Sequence, residues 1–302
     1  MDAPDFSREL ERIRGGEVEV LNLGKRHFFD LSPALMTGEH IKLITLKLSL
    51  NKIGDDGVKS LSSALMNENN KLTTLDVRFN SIGVDGIKSL STALMNENNK
   101  VMLLNLSNNN IGDEGARCLS TALMSENNKV ATLKLSGNNI GADGARSLSL
   151  VLMNENNKVT ILDLASTKVG DDGVKSLSTA LMNEKNKVTL LNLWNNDIGT
   201  QSLVELLKSL RFSVMKYLII SNQELNREVR TMLDKCIIAF NKYIPRLVCL
   251  ASVRTIPRIG DQSPHFRELS SDLLIRVVQT LGWFIDLKGT LRTLEAHVEK
   301  GT

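Results

Sequence analysis

The sequence predicts an α/β solenoid, a stack of near-identical units in which short strands form one parallel sheet and helices cover its other side. Three observations lead there. The pair Ile53-Gly54 returns as Ile82-Gly83, Ile111-Gly112, Ile140-Gly141, Val169-Gly170 and Ile198-Gly199, always 29 residues on. Ahead of each pair the apolar residues alternate with polar ones, and after it they recur at spacings of three and four, so strand periodicity gives way to helix periodicity. No single unit buries both faces by itself, which forces neighbours to share a core.

Taken in order, residues 1–40 read as an N-terminal cap with a shortened first unit: a capping helix from Asp5 to Arg14, a strand from Val18 to Leu23, and an apolar stretch from Leu31 to Met36. Residues 41–226 hold the 29-residue units. The one from Leu72 to Lys100 reads LTTLDVRFNSIGVDGIKSLSTALMNENNK. Leu75 and Val77 alternate with polar Asp76 and Arg78, the signature of a strand with one buried face, and Leu104/Leu106, Leu133/Leu135, Leu162/Leu164 and Leu191/Leu193 repeat it. Asp85 is expected to cap the helix that follows, whose apolar stripe is Ile87, Leu90, Ala93 and Leu94. The segment NENN is expected to end it, because Asn tolerates a left-handed residue at a helix C-terminus. Strands ~4.8 Å apart must match helices ~10 Å wide, so the stack should bend into a horseshoe with a concave sheet. Tyr217 to Ile220 reads as a last, irregular strand.

The recurring pattern L-x-x-L-x-L-x-x-N-x-I-G followed by a helix resembles the leucine-rich repeats of ribonuclease inhibitor. The resemblance implies a protein-binding scaffold that uses its concave strand face. Asn51, Asn80, Asn109, Asn138 and Asn196 stand where the chain leaves each strand, and a buried amide there satisfies backbone groups that the turn leaves unpaired. The fifth unit has Thr167 instead. One hydroxyl makes fewer bonds than an amide, so a looser turn is expected at that point.

Composition narrows the function classes. The chain of 302 residues is 42% apolar, enough for a continuous core, and its 37 basic and 34 acidic side chains leave a formal charge of only +3. With no Lys/Arg-rich block, neither nucleic acid nor anionic lipid is an expected partner. The charged N-terminus lacks the apolar stretch of a signal peptide, no run of about 18 apolar residues suggests a membrane span, and three scattered cysteines fit a reducing compartment. A soluble cytoplasmic protein is the expectation. G-x-x-x-x-G-K-[ST] and HExxH motifs are missing. His27, His40, His265 and His297 are too dispersed for a shared site, Cys118 stands where other helices carry Ser60, Ser89, Ser147 and Ser176, and the GDDG and GDEG clusters lack the ligand spacing of an EF-hand. We therefore expect no catalytic residue, no cofactor and no metal, and not an enzyme.

Comparing the units shows where binding could lie. The helical stretches are nearly fixed, whereas the outward strand columns vary: Ser49, Arg78, Ser107, Ser136, Ala165 and Trp194 in one, Leu50, Phe79, Asn108, Gly137, Ser166 and Asn195 in the next. A third column reads Lys47, Asp76, Asn105, Lys134, Asp163, Asn192, so the order Lys-Asp-Asn occurs twice and suggests duplication of a three-unit block. It also sets Lys47 beside Asp76 and Lys134 beside Asp163, either as partner contacts or as a solvated charge ladder. Arg78, Phe79 and Trp194 are the residue types of interface hot spots and are the first choice for partner contact, with Asp76, Asn105, Lys134, Asp163 and Asn192 around them.

From about Arg227 the period stops, and residues 227–302 read as helical, either as a cap over the open end of the solenoid or as an adaptor-binding segment. Leu269, Asp272, Leu273, Leu274, Val277 and Leu281 look like the opening of an F-box, although Ser270 replaces the usual Pro, and Leu247, Leu250 and Arg254 are loosely similar to a SOCS box. That resemblance implies a ubiquitin-ligase adaptor as partner and a substrate-receptor role. Ran GTPase-activating proteins share the repeat type, which makes regulation of a small GTPase a further alternative, although their acidic tail is missing here.

Overall fold

The computed structural model describes residues 11–12, 15, 17–23, 42–210, 213–215, 217–220 and 248–251. Two compact units divide the chain, Met1–Met215 and Lys216–Thr302. In the first, seven strands, β1 (Val20–Asn22), β2 (Thr45–Lys47), β3 (Thr74–Asp76), β4 (Leu103–Asn105), β5 (Thr132–Lys134), β6 (Ile161–Asp163) and β7 (Leu190–Asn192), pair in parallel in sequence order. Each strand from β2 onward is followed by a helix: α1 (Gly54–Leu65), α2 (Val84–Leu94), α3 (Gly112–Leu123), α4 (Gly141–Leu152), α5 (Gly170–Leu181) and α6 (Thr200–Ser209). This is the α/β solenoid that the 29-residue period predicts. The expected capping helix at Asp5 to Arg14 and the stretch from Leu31 to Met36 lie outside the described residues, apart from Glu11 and Arg12, which are helical.

The core sits between sheet and helices. Leu46, Leu75, Leu104, Leu133, Leu162 and Leu191 are buried under the strands, and Ile87, Leu90, Ala93 and Leu94 have no exposed surface, as the helical stripe requires. Helices approach the turns closely: a Cβ on Gly144 would stand 2.5 Å from Ile140 Cγ2 and 3.0 Å from Ala116 Cβ, so a larger residue there would push two repeats apart.

The asparagine column forms a ladder from repeat to repeat. Asn80 Oδ1 accepts the Asn51 and Ile53 N–H groups of the preceding repeat at 2.8 and 3.3 Å, while Asn80 Nδ2 donates to the Leu48 and Val77 carbonyls at 2.8 and 2.9 Å. Asn109 and Asn138 repeat the arrangement. Thr167 interrupts it. Its hydroxyl donates to the Leu164 carbonyl at 2.6 Å and contacts Asn196 Oδ1 at 3.1 Å, and among the described residues no side-chain oxygen accepts the Asn138 or Ile140 N–H.

Two helix-end expectations are corrected. Asp85 does not cap α2: the N-cap is Gly83, with no side-chain bond of its own, and Asp85 instead pairs with Lys88 at 3.1 Å. The acceptor for the Gly83 N–H is Asp55 of the preceding repeat, at 2.7 Å. Asp171 serves the Gly199 N–H at 2.7 Å in the same way, while Asp113 also reaches forward into the next repeat but bonds the Gly144 N–H, at 2.6 Å, three residues beyond the counterpart of Gly83. At the other end, NENN holds no left-handed residue, and α2 closes on Met95 in right-handed geometry. Asn closes the turn through its amide: Asn99 Nδ2 donates to the Leu94 carbonyl at 3.1 Å and its Oδ1 accepts the Val101 N–H at 3.0 Å. Amide chemistry, not backbone tolerance, selects Asn there.

In the second unit, β8 (Tyr217–Ile220) pairs in parallel with β9 (Val248–Ala251), Leu218 facing Cys249 in the register. The strand at Tyr217 is as expected. β9 corrects the helical reading of this region and places Leu250, one of the SOCS-box-like residues, in a strand. A short apolar run bounded by Pro245 and Pro257 has the length of a buried strand, which periodicity by itself does not separate from a helix. Leu269, Asp272, Leu273, Leu274, Val277 and Leu281, together with Leu247 and Arg254, lie outside the described residues.

Candidate functional site

Parallel register sets one residue of every repeat beside its counterpart, so the face opposite the helices is made of columns. The residues on either side of each buried Leu point to that face. In the column that begins at Lys47, Asp76, Asn105 and Asn192 are nevertheless buried. Their side chains fold onto the backbone two residues ahead: Asp76 Oδ1 accepts the Arg78 N–H at 3.2 Å, Asn105 the Ser107 N–H at 3.1 Å, Asp163 the Ala165 N–H at 3.1 Å and Asn192 the Trp194 N–H at 3.0 Å. These Asx turns hold the ends of β3, β4, β6 and β7. The polar half of the strand alternation thus includes buried residues that the period-two pattern assigns to solvent.

The register does set Lys47 opposite Asp76 and Lys134 opposite Asp163. Asp76 also makes a salt bridge that the ladder did not suggest, to Arg78 Nε at 3.4 Å. Burial pushes the Asp163 carboxyl above its ordinary range, opposed by the Ala165 N–H, by Lys134, and by hydrogen bonds with Asn192 and Ser136.

Arg78, Phe79 and Trp194 are half-buried at the strand ends. Between them the same columns carry small groups, with Ser136 Oγ donating to Ser107 Oγ at 2.9 Å and Ala165 buried. The spacing of parallel strands puts β3 and β7 roughly 19 Å apart. Phe79 (φ +58°) and Leu50 (φ +63°) both occupy left-handed backbone, where the other repeats place Asn108, Gly137, Ser166 and Asn195. Left-handed geometry costs roughly 1–2 kcal/mol for a side chain that forms no local hydrogen bond, and Leu50 is 45% exposed.

A column that the sequence reading did not single out completes the face. Thr45, Thr74, Leu103, Thr132, Ile161 and Leu190 stand half-buried at the strand starts, with exposed Ile44 and Met102 just ahead. Their signal was available, because each immediately precedes an inward Leu and therefore points outward.

Five segments, residues 39–62, 68–91, 97–120, 126–149 and 155–178, match the family model described as Leucine Rich repeat. These are leucine-rich repeats. A search of curated proteins finds no match to the chain. Leucine-rich repeats form extended stacks whose repeated surface carries binding, which fits a face of aligned columns with variable residues. Among the described residues no group of three or more His, Cys, Asp or Glu is arranged to hold a metal, and no helix is long and apolar enough to cross a membrane.

Proposed function

We propose that this chain is a scaffold of the ribonuclease-inhibitor type that binds a partner protein across the outward strand face of its leucine-rich repeats. Arg78 and Phe79 anchor one side and Trp194 the other, over a floor of Asp76, Asn105, Lys134, Asp163 and Asn192. One observation carries this reading. Leu50 keeps a bulky, exposed apolar side chain on a left-handed backbone position that Asn, Gly or Ser fills at lower cost in later repeats. Stability by itself favours the smaller residues, and a bound partner supplies the compensating contact.

The Arg78 guanidinium is held against Asp76, which suits an anchor that reads shape and charge better than a group inserted into a GTPase active site. The test is affinity purification with the wild-type chain and with the double variant Arg78→Ala/Trp194→Ala. Loss of two hot-spot residues should weaken capture by about 10–100-fold while circular dichroism stays unchanged. Undiminished capture by the folded variant would remove these residues from the interface. Mass spectrometry of the captured protein separates a ubiquitin-ligase adaptor, a small GTPase and any other partner.

A further inference from the structure

Two more columns run along the loops that join each helix to the next strand. Lys42, Lys71, Lys100, Lys129, Lys158 and Lys187 precede the first inward residue of each repeat, and all are exposed. Three positions earlier, Glu68, Glu97, Glu126, Glu155 and Glu184 are exposed as well. A scan for basic blocks misses these residues because they are 29 apart in the chain, and stacking turns them into one basic and one acidic row.

The loops that carry the rows are bolted in place. Asn98 Nδ2 donates to the Met66 carbonyl of the preceding repeat at 2.9 Å, Asn127 to that of Met95 at 2.9 Å and Asn156 to that of Met124 at 3.0 Å. The rows are therefore preorganised. Their charges are not consumed internally: among the described residues, Glu97, Glu126 and Glu155 make no salt bridge, nor do Lys100, Lys129 and Lys158. Only at the last repeat does Glu184 approach Lys185, at 3.4 Å, while Lys187 Nζ donates to the Asn157 carbonyl at 2.7 Å.

Within each row, neighbouring like charges lie between the strand spacing of ~4.8 Å and the helix spacing of ~10 Å, inside or near the Debye length of ~10 Å at 0.1 M salt. Each row repels itself, and an opposite row laid against it relieves that repulsion. A polyanion does not fit, because what it gains from the lysines it loses to the parallel glutamates. The surface that fits has a basic row facing the acidic one and an acidic row facing the basic one, at the same spacing.

A second copy of this chain is such a surface. A two-fold axis parallel to the rows keeps repeat opposite repeat and exchanges the rows, so every Glu meets a Lys. A two-fold axis across the rows sets like against like, which leaves one orientation. We infer that this loop edge is a self-association surface, joining two copies side by side with their repeats in parallel register.

Sedimentation velocity of the full chain at about 20 mM and about 500 mM NaCl tests this, since salt screens exposed pairs. A dimer at low salt that dissociates at high salt is expected. Two charge-reversed chains sharpen the test: Glu97→Lys/Glu126→Lys/Glu155→Lys and Lys100→Glu/Lys129→Glu/Lys158→Glu. Each by itself should be monomeric at low salt, and an equimolar mixture should dimerise, because rows of only one sign then meet rows of the other. Thermal melts monitored by circular dichroism verify that both variants fold. A monomeric wild type at low salt, a folded variant that dimerises by itself as the wild type does, or a mixture of folded variants that stays monomeric would each overturn the inference.

Discussion

Replacing Thr167 with Asn should stabilise the protein, and the size of the gain follows from the ladder it repairs. Asn138 and Ile140 lack the side-chain acceptor that the equivalent amides of the second and third repeats have in Asn109 and Asn138. The backbone at 167 is already of the required kind: its N–H donates to Asn196 Oδ1 at 3.0 Å, as Asn80 does to Asn109, and Lys168 takes the left-handed φ of +60° that follows the Asn in other repeats. An Asn there restores one acceptor, its Oδ1, for both N–H groups. Its amide also replaces the hydroxyl bond to the Leu164 carbonyl, as Asn138 Nδ2 reaches Leu135 at 2.8 Å. Each restored hydrogen bond contributes about 0.5–1.5 kcal/mol, and part of that is offset by the lost contact between the Thr167 hydroxyl and Asn196, giving a net gain of about 1–2 kcal/mol. For a unit of this size that raises Tm by about 2–8 °C. Calorimetry of both proteins measures the shift. Amide exchange supplies an independent readout: in the wild type Asn138 and Ile140 should exchange faster than Asn109 and Ile111, and in the variant the difference should close. An unchanged Tm together with equal protection in the wild type would refute the reasoning.

Two further outcomes follow from the strand face. Because burial raises the Asp163 pKa in the folded state, the fold binds that proton more tightly than the unfolded chain does. Stability from this group is greatest below the ordinary Asp pKa of ~3.9 and falls as pH rises through the folded value. Asp163→Asn, which keeps an oxygen for the Ala165 N–H and matches Asn105 and Asn192 of the same column, should be more stable than the wild type at pH 7. That advantage should shrink as pH approaches 4 in urea unfolding, and a pH-independent difference would contradict it. Leu50→Gly should relieve left-handed strain, raise stability by about 1 kcal/mol in chemical unfolding and weaken partner capture; a loss of stability would show that Leu50 belongs to the core.

The regular part of the fold was legible because one pattern occurs six times. Leu75, Leu104 and Leu133 are buried for the reason that their spacing implies, and the role of the ladder asparagines follows from an amide placed where a strand ends. Less legible was the direction in which a polar side chain turns. Asp85 looks like a cap from its position at a helix start, yet the carboxylate that reaches Gly83 belongs to Asp55, a whole repeat away. Asp76 and Asn105 look solvent-facing by alternation, yet each folds onto its own backbone. Such choices are set by which donor lies nearest in space. A period read along one dimension fixes which residues are neighbours but not which of two neighbours a short side chain bonds.

The helix-start carboxylates Asp55, Asp113 and Asp171 come from the first, third and fifth full repeats, while Val84, Ala142 and Thr200 hold the same place in the second, fourth and sixth. A repeat that donates a carboxylate forward is followed by one that receives it. The indivisible module of this stack is thus a pair of repeats, 58 residues, although the strands and the core recur every 29. Excising one repeat would abut two donors or two receivers and leave a helix start unserved, whereas removing a pair preserves every junction. Lengthening or shortening this array is therefore expected to succeed in even steps.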